Sequence, residues 1–302
     1  MRIPEIRKDW KANWVLYAMI LPVLVFVFLF NYIPMAGILM SFERFSPKLG
    51  VFGSQWIWFQ NFKDFFTSYY FGRLLRNTFL LSFYDLVFAF PIPIAFALLL
   101  NEVRNKPFKK AVQTISYMPF FISMVVVAGL LIDFLSSTGG LTAIIGKLGG
   151  PTGNLLGMPG AFRPIYVLSN IWQGFGFGSI IYMAALTGID EQLYEAAEID
   201  GAGRWKQTLH ITLPSLANTV VIMLILRMGS LMSVSFEKVL LLYSQSTYST
   251  ADVISTFVYR KGLLEANYGY STAVGLFNSL LNLGFLVGAN ALSRKFSSTS
   301  LF

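Results

Sequence analysis

The 302-residue chain contains no cysteine and a single histidine, His210. Without thiols it can form no disulfide, thiolate metal site or cysteine nucleophile, and one imidazole cannot build a histidine-based metal cluster. Charge is scarce too. Asp, Glu, Lys and Arg make up 13% of residues, about half of the roughly 25% usual in water-soluble domains. A phosphate-binding loop is also missing. The nearest candidate, Gly140 to Gly146-Lys147, is one residue too long and carries Leu148 where the Gly-x4-Gly-Lys-Ser/Thr pattern needs a hydroxyl. The chain therefore cannot supply its own ATP hydrolysis. No membrane-embedded metal motif or serine–lysine arrangement at helical spacing stands out, which argues against an intramembrane enzyme.

Apolar residues are abundant: hydrophobic residues account for 55% of the chain and aromatics for 16%, with a mean hydropathy of +0.60. About twenty mostly apolar residues carry a helix across a bilayer. Six segments qualify, at about 14–42, 77–100, 115–135, 165–186, 216–236 and 272–292. The alternation of a β-barrel is absent and open strands do not survive in lipid. The expected fold is an all-α membrane protein: a cytoplasmic segment 1–13, a transmembrane domain 14–292 and a cytoplasmic tail 293–302. The first span is too long for a cleaved signal peptide and lacks a small-residue cleavage site, so it is expected to be retained. Pro22 and Pro34 should bend it, and Pro91 and Pro93 should distort the second span.

The net charge of +8 and pI near 9.6 would suit nucleic acid, but the basic residues flank apolar spans, where they set topology. Arg2, Arg7, Lys8 and Lys11 precede the first span, and Arg104, Lys106, Lys109 and Lys110 crowd the second loop. Arg204 and Lys206 lie in the fourth loop, and Arg294 and Lys295 follow the last span. These regions share one side if both termini are cytoplasmic. The opposite loops are longer and more aromatic, with Trp56, Trp58 and Tyr69-Tyr70 between Phe52 and Phe71, and carry a smaller share of the basic residues, Lys238 among them. The loop 136–160, rich in Gly, Ser, Thr and Pro, is expected to hold a short helix around Leu141 to Leu148.

The loop 188–214 is more patterned than a water crossing requires. Asp190 can cap a helix from Glu191 to Asp200, Gly201 suits the left-handed position that ends it, and a second helical stretch should run from Gly203 to His210. Pro214 then opens the fifth span. Ala196 and Ala197 leave a low-relief face beside Glu195, open to close approach by another protein.

This loop resembles the signature of binding-protein-dependent ABC importer permeases, a Glu-Ala-Ala motif followed by a glycine and Ile-x-Leu-Pro. Glu195, Ala196, Ala197, Gly201, Ile211, Leu213 and Pro214 stand at the matching positions, with Asp200 preceding the glycine. Trp14 to Phe45, with Asn31-Tyr32-Ile33-Pro34-Met35, and the segment Tyr248 to Ile254 followed by Val258-Tyr259-Arg260 are similar to the LplB-like branch that imports complex saccharides. The resemblance covers essentially the whole chain. It implies a MetI-like fold in a bacterial plasma (inner) membrane and docking of the loop in a cleft of a cytoplasmic ATPase. It further implies a second related permease, two ATPase subunits that bind ATP and Mg, and an extracytoplasmic solute-binding protein that delivers an oligosaccharide. No cofactor is expected in this chain.

Several polar groups lie within spans. A charge at the bilayer centre costs about 2.5–3.5 kcal/mol, so Arg227, near the middle of the expected fifth span, should face a cavity, a partner chain or a counter-ion. Asp85 is a possible partner. The pair is either a structural tie within the bundle or part of a translocation path that holds an acidic sugar. Asn278 and Asn282 share a helix face and suit sugar hydroxyls or helix–helix bonds equally. Trp172, Gln173 and Tyr182 carry the same ambiguity. Glycines 174, 176 and 178 alternate with Phe175 and Phe177, a pattern that favours close helix packing. Two rival functions remain open at this stage: an ion-coupled carrier, which should hold acids deep in several spans, and a non-transporting scaffold or sensor.

Overall fold

The computed structural model describes residues 3–296. Helix dominates, and the strands among these residues are one two-residue antiparallel pair, β1 (Glu43–Arg44) with β2 (Gln55–Trp56). Four helices are long and apolar enough to cross a bilayer: Ala12–Phe42, Phe71–Asn101, Arg204–Met228 and Tyr268–Lys295. A fifth candidate is a bent pair, Lys106–Phe121 with Met124–Leu135, whose halves meet at 95°.

The expected third span, 115–135, is therefore not one straight helix. Its first residues end α4 (Lys106–Tyr117), and a tight turn through Pro119 follows. Ser123 then adopts an extended backbone and caps α5 (Met124–Leu135), accepting from the Val126 N–H at 3.4 Å. The run is apolar enough for a span, but proline and an N-cap inside it dictate a corner. The expected fourth span is likewise divided at Ser179, into α6 (Pro159–Gly178) and α7 (Ile180–Thr187). The short helix expected in the 136–160 loop is present as Gly140–Lys147.

Prolines shape three of the long helices in one way. A proline lacks the N–H for an i−4 bond, and its ring crowds the carbonyl four residues back. α1 (Ile3–Val27) passes into a π turn, Phe28–Tyr32, just before Pro34. The π turn Asp85–Ala89 joins α2 (Phe71–Tyr84) to α3 (Pro91–Asn101), and Thr208–Thr212 precedes Pro214 in the same way. The widened turn accommodates the missing bond without breaking the helix. Pro22 differs from expectation: the irregular backbone of α1 lies at Asn13 instead.

The described residues form two compact units, one of 3–68 with 258–276 and one of 69–257 with 277–296. In the first, the Asn61 amide donates to the carbonyls of Ser41 and Glu43 at 3.0 and 3.1 Å, fixing the end of the long helix to the β pair. Gly269 permits this close packing, since a Cβ there would sit 2.5 Å from the Glu43 carbonyl oxygen. Most of the large apolar side chains between residues 14 and 35 are exposed.

The second unit holds the main core. Leu81, Phe162, Val239, Leu242 and Val253 are buried together. Here the segment after the fifth span departs from expectation. Instead of lying out as a loop, it turns inward through α11 (Phe236–Leu242), burying Val234, Val239, Leu242 and Lys238. The Asn77 amide and the Arg73 guanidinium hold it by Asp252, the latter at 2.9 Å.

Of the alternating glycines, Gly176 carries the close contact. A Cβ there would run into the Ser116 backbone carbonyl on α4, whereas Gly174 faces open space. Gly176→Ala should cost about 1–3 kcal/mol by overpacking, lowering the thermal midpoint of the detergent-purified subunit by several degrees. Gly174→Ala, with room for the methyl group and a better helix former in place, should not lower that midpoint.

Candidate functional site: a coupling loop and a charged cavity

The 188–214 loop folds nearly as its residues suggest. α8 spans Glu191–Ile199, capped by the Asp190 side chain, which accepts from the Gln192 N–H at 3.0 Å. Gly201 sits at φ +73°. The Ala202 N–H bonds the Ala197 carbonyl at 2.8 Å and the Gly201 N–H bonds that of Glu198 at 3.0 Å, the paired closure of a Schellman motif. Glu195, Ala196 and Asp200 are exposed and Ala197 is half-buried.

Two strongly exposed apolar side chains flank the glycine: Ile199, 87% exposed, and Trp205, 73% exposed. Sequence reasoning passed over both, although large apolar groups beside a rigid polar helix signal a covered surface. The second helical stretch is also not separate. α9 (Arg204–Gln207), the π turn and α10 (Leu213–Met228) form one continuous helix from Arg204 to Met228, so Pro214 lies within it and does not begin it. Ile211 is half-buried, and Leu213 and Pro214 are exposed on this helix. Tyr194 Oη and Thr212 Oγ1, 2.9 Å apart, tie α8 to its base.

At the other end of that helix lies a cavity of about 680 Å³. Arg227 stands in the last turn of α10 rather than mid-span, because the helix stops at Met228–Gly229 instead of reaching Phe236. A cation there also suits the negative helix end. Its guanidinium pairs with Asp85, and both line the cavity. Asp85 is the more deeply placed, its side chain 8% exposed against 44% for Arg227. Gln173 and Tyr182 line the same cavity, with Phe90, Phe120 and Phe175. Gln173 also donates to the Ile122 carbonyl at 3.3 Å, bracing the corner between α4 and α5.

The other candidates fall elsewhere. Trp172 faces an apolar recess with Val127, Leu131 and Phe134, on a different side of α6 from the cavity-lining Gln173. Asn282, on α12 (Tyr268–Phe296), accepts from the Met232 N–H at 2.7 Å and donates to Ser233 Oγ at 3.0 Å, anchoring the segment after the fifth span. Asn278 does not line the cavity, and its buried carbonyl oxygen has no partner among the described residues.

Behind the ion pair lies a layer that sequence reasoning missed. Asn170 on α6 donates to the second Asp85 oxygen at 2.8 Å and accepts from Lys238 Nζ at 2.6 Å. Lys238, fully buried, also donates to Ser169 Oγ at 3.2 Å and lies 5.8 Å from the Tyr166 ring centroid. Tyr166 Oη accepts from the Ser235 N–H at 3.1 Å. Burial pushes the Lys238 ammonium down to about 8, while the Asp85 carboxylate pulls it upward. The signal was available: Tyr166, Ser169, Asn170 and Gln173 recur at helical spacing and form a polar stripe on an otherwise apolar helix.

Comparisons with known proteins identify the family. Residues 89–298 match the model of the family described as binding-protein-dependent transport system inner membrane component. Protein LplB of Bacillus subtilis (strain 168) is 43% identical over 97% of this chain and 92% of its own. The polygalacturonan/rhamnogalacturonan transport system permease protein YteP of the same organism is 43% identical over 95% and 90%. Among solved structures, a bacterial ABC transporter involved in the import of the acidic polysaccharide alginate contains a chain 45% identical to this one. The two superpose with a TM-score of 0.88 over 96% of this chain and 99% of that one. The chain belongs to the family of binding-protein-dependent transport system inner membrane components, the permease subunits of ABC importers.

Proposed function

We propose that this subunit forms half of the translocation path of an ATP-driven importer for acidic oligosaccharides derived from polysaccharides. The observation that carries this reading is the continuous helix Arg204–Met228. Its base is tied to the exposed α8 through Tyr194 and Thr212, and its far end presents Arg227 to the cavity. At about 1.5 Å per residue the helix is roughly 37 Å long, enough to carry a displacement on one membrane face to a site near the other.

In this reading six spans cross a bacterial plasma membrane, both termini are cytoplasmic, and α8 with Gly201 docks on one of two cytoplasmic ATPase subunits. A second, related permease completes the path, and an extracytoplasmic binding protein delivers the sugar. ATP would close the ATPase pair, shift α8 and open the cavity outward. Hydrolysis would reset it. The chain supplies the path and the lever, while ATP and Mg bind elsewhere. The acidic cargo rests on Arg227 in the cavity and on the substrates named for YteP and the alginate transporter.

Reconstitution in liposomes tests the whole. ATPase activity should rise when the binding protein is loaded with a short oligouronate, and labelled sugar should accumulate only with ATP. Accumulation driven by an ion gradient without nucleotide would replace this reading with that of a secondary carrier.

A further inference from the structure

Asp85 poses an electrostatic problem for a path that takes acidic cargo. A carboxylate already occupies Arg227, and any incoming uronate meets both the pairing and the repulsion of Asp85. The layer behind supplies the answer. Asn170 turns its amide hydrogens to Asp85 and its carbonyl to Lys238, the one orientation that satisfies both neighbours. Lys238 does not line the cavity and is fully buried. The network then holds two cations against one carboxylate, an unbalanced positive charge facing a partly apolar cavity.

We propose that Lys238 is a specificity-determining positioning residue. Acting through Asn170, it holds and offsets Asp85, so that the half-exposed Arg227 guanidinium can accept a sugar carboxylate in the cavity. Asp85 limits that affinity, which keeps the sugar releasable. Lys238 never touches the cargo. The inference rests on the acidic-oligosaccharide reading and adds the residue that sets the preference for charge.

The test is equilibrium binding to the assembled complex in nanodiscs, without the binding protein. The probes are a galacturonate trisaccharide and its carboxyl-reduced, neutral counterpart. Lys238→Met should weaken uronate binding on the order of tenfold, as expected for loss of one nearby unit charge at low effective dielectric, and should change neutral-sugar binding less than twofold. Lys238→Gln retains a donor for Asn170 and should lose the preference equally, because charge and not the hydrogen bond sets it. Asp85→Asn should act oppositely, tightening uronate binding on the order of tenfold. Equal shifts for both sugars, rescue by Gln, or weaker uronate binding in Asp85→Asn would each overturn the inference. ATP-driven accumulation in liposomes reads the importer separately. If accumulation fails while the binding pattern holds, the importer reading falls and the charge-selective site stands.

Discussion

Arg227→Met should destabilise the subunit by about 3 kcal/mol and abolish import of an acidic oligosaccharide, whereas Arg227→Met combined with Asp85→Asn should recover most of the stability but not the import. The expected cost comes from the asymmetry of the pair. Asp85 has a side chain 8% exposed, and removing one partner of a buried pair strands the other at about 3–5 kcal/mol. The remaining bond from Asn170 keeps the figure at the lower end. In the reverse single variant, Asp85→Asn, the stranded groups are a guanidinium already 44% exposed to the cavity and Lys238, which keeps its bonds to Asn170 and Ser169, so the loss should be smaller. Neutralising both members removes the stranded carboxylate, and such replacements are often neutral in stability; Lys238 loses its counter-charge but keeps its bonds to Asn170 and Ser169, so most of the stability should return. Thermal unfolding of the purified subunit together with uptake of a labelled oligouronate reads both effects. If the double variant imports the acidic sugar as well as the unmodified chain, Arg227 is a structural tie and has no part in the path.

The pair illustrates how much the sequence disclosed. That Arg227 needed a partner followed from the cost of a charge in an apolar span, and Asp85 was the one acid well inside another span. Its partnership with Lys238 was not legible. Lys238 follows a helix that ends eight residues before the apolar run does, so hydropathy placed it in an outward loop. Hydropathy reads transfer into lipid and is silent on whether a segment turns back into the protein. The same limit explains residues 115–135, where composition permits a span but Pro119 and the Ser123 cap impose a corner. Local signals with a backbone mechanism fared better. Asp190, Gly201 and the helix between them were fixed by capping chemistry that needs no tertiary contact. Pro91 distorts its helix as its missing N–H group requires, although the π turn as the form of that distortion was not foreseen, whereas Pro214, expected to open a span, follows such a turn inside a continuous helix. Trp172 stayed open between sugar stacking and helix packing, because aromatic character alone does not say which side of a helix faces the cavity.

The other large effect concerns the lever. Ile199→Glu combined with Trp205→Glu should leave the subunit folded and inserted, yet reduce its association with the ATPase on the order of 100-fold or more and abolish import. Both side chains are almost wholly exposed in this chain, and surface substitutions away from special contacts shift stability by only about 0.5 kcal/mol. Buried in a partner's cleft, large apolar groups of this kind are typical anchors worth about 2 kcal/mol or more apiece. Two lost anchors and two buried carboxylates therefore compound in the complex and cost little outside it. Gly201→Val should weaken coupling by a different route. Space for a Cβ is available there, but φ +73° is strained for a β-branched residue, and the closure at Ala197 and Glu198 would loosen. Co-purification of the ATPase, measured beside the thermal midpoint, separates these variants from those at Arg227. Substitutions at the loop should release the ATPase from a stable subunit, and substitutions at the cavity should retain the ATPase but lose the sugar. Retention of the ATPase by the doubly acidic variant would mean that the loop near Gly201 is not the docking surface. The continuous helix from Arg204 to Met228 would then be a strut of the bundle with no partner to drive it.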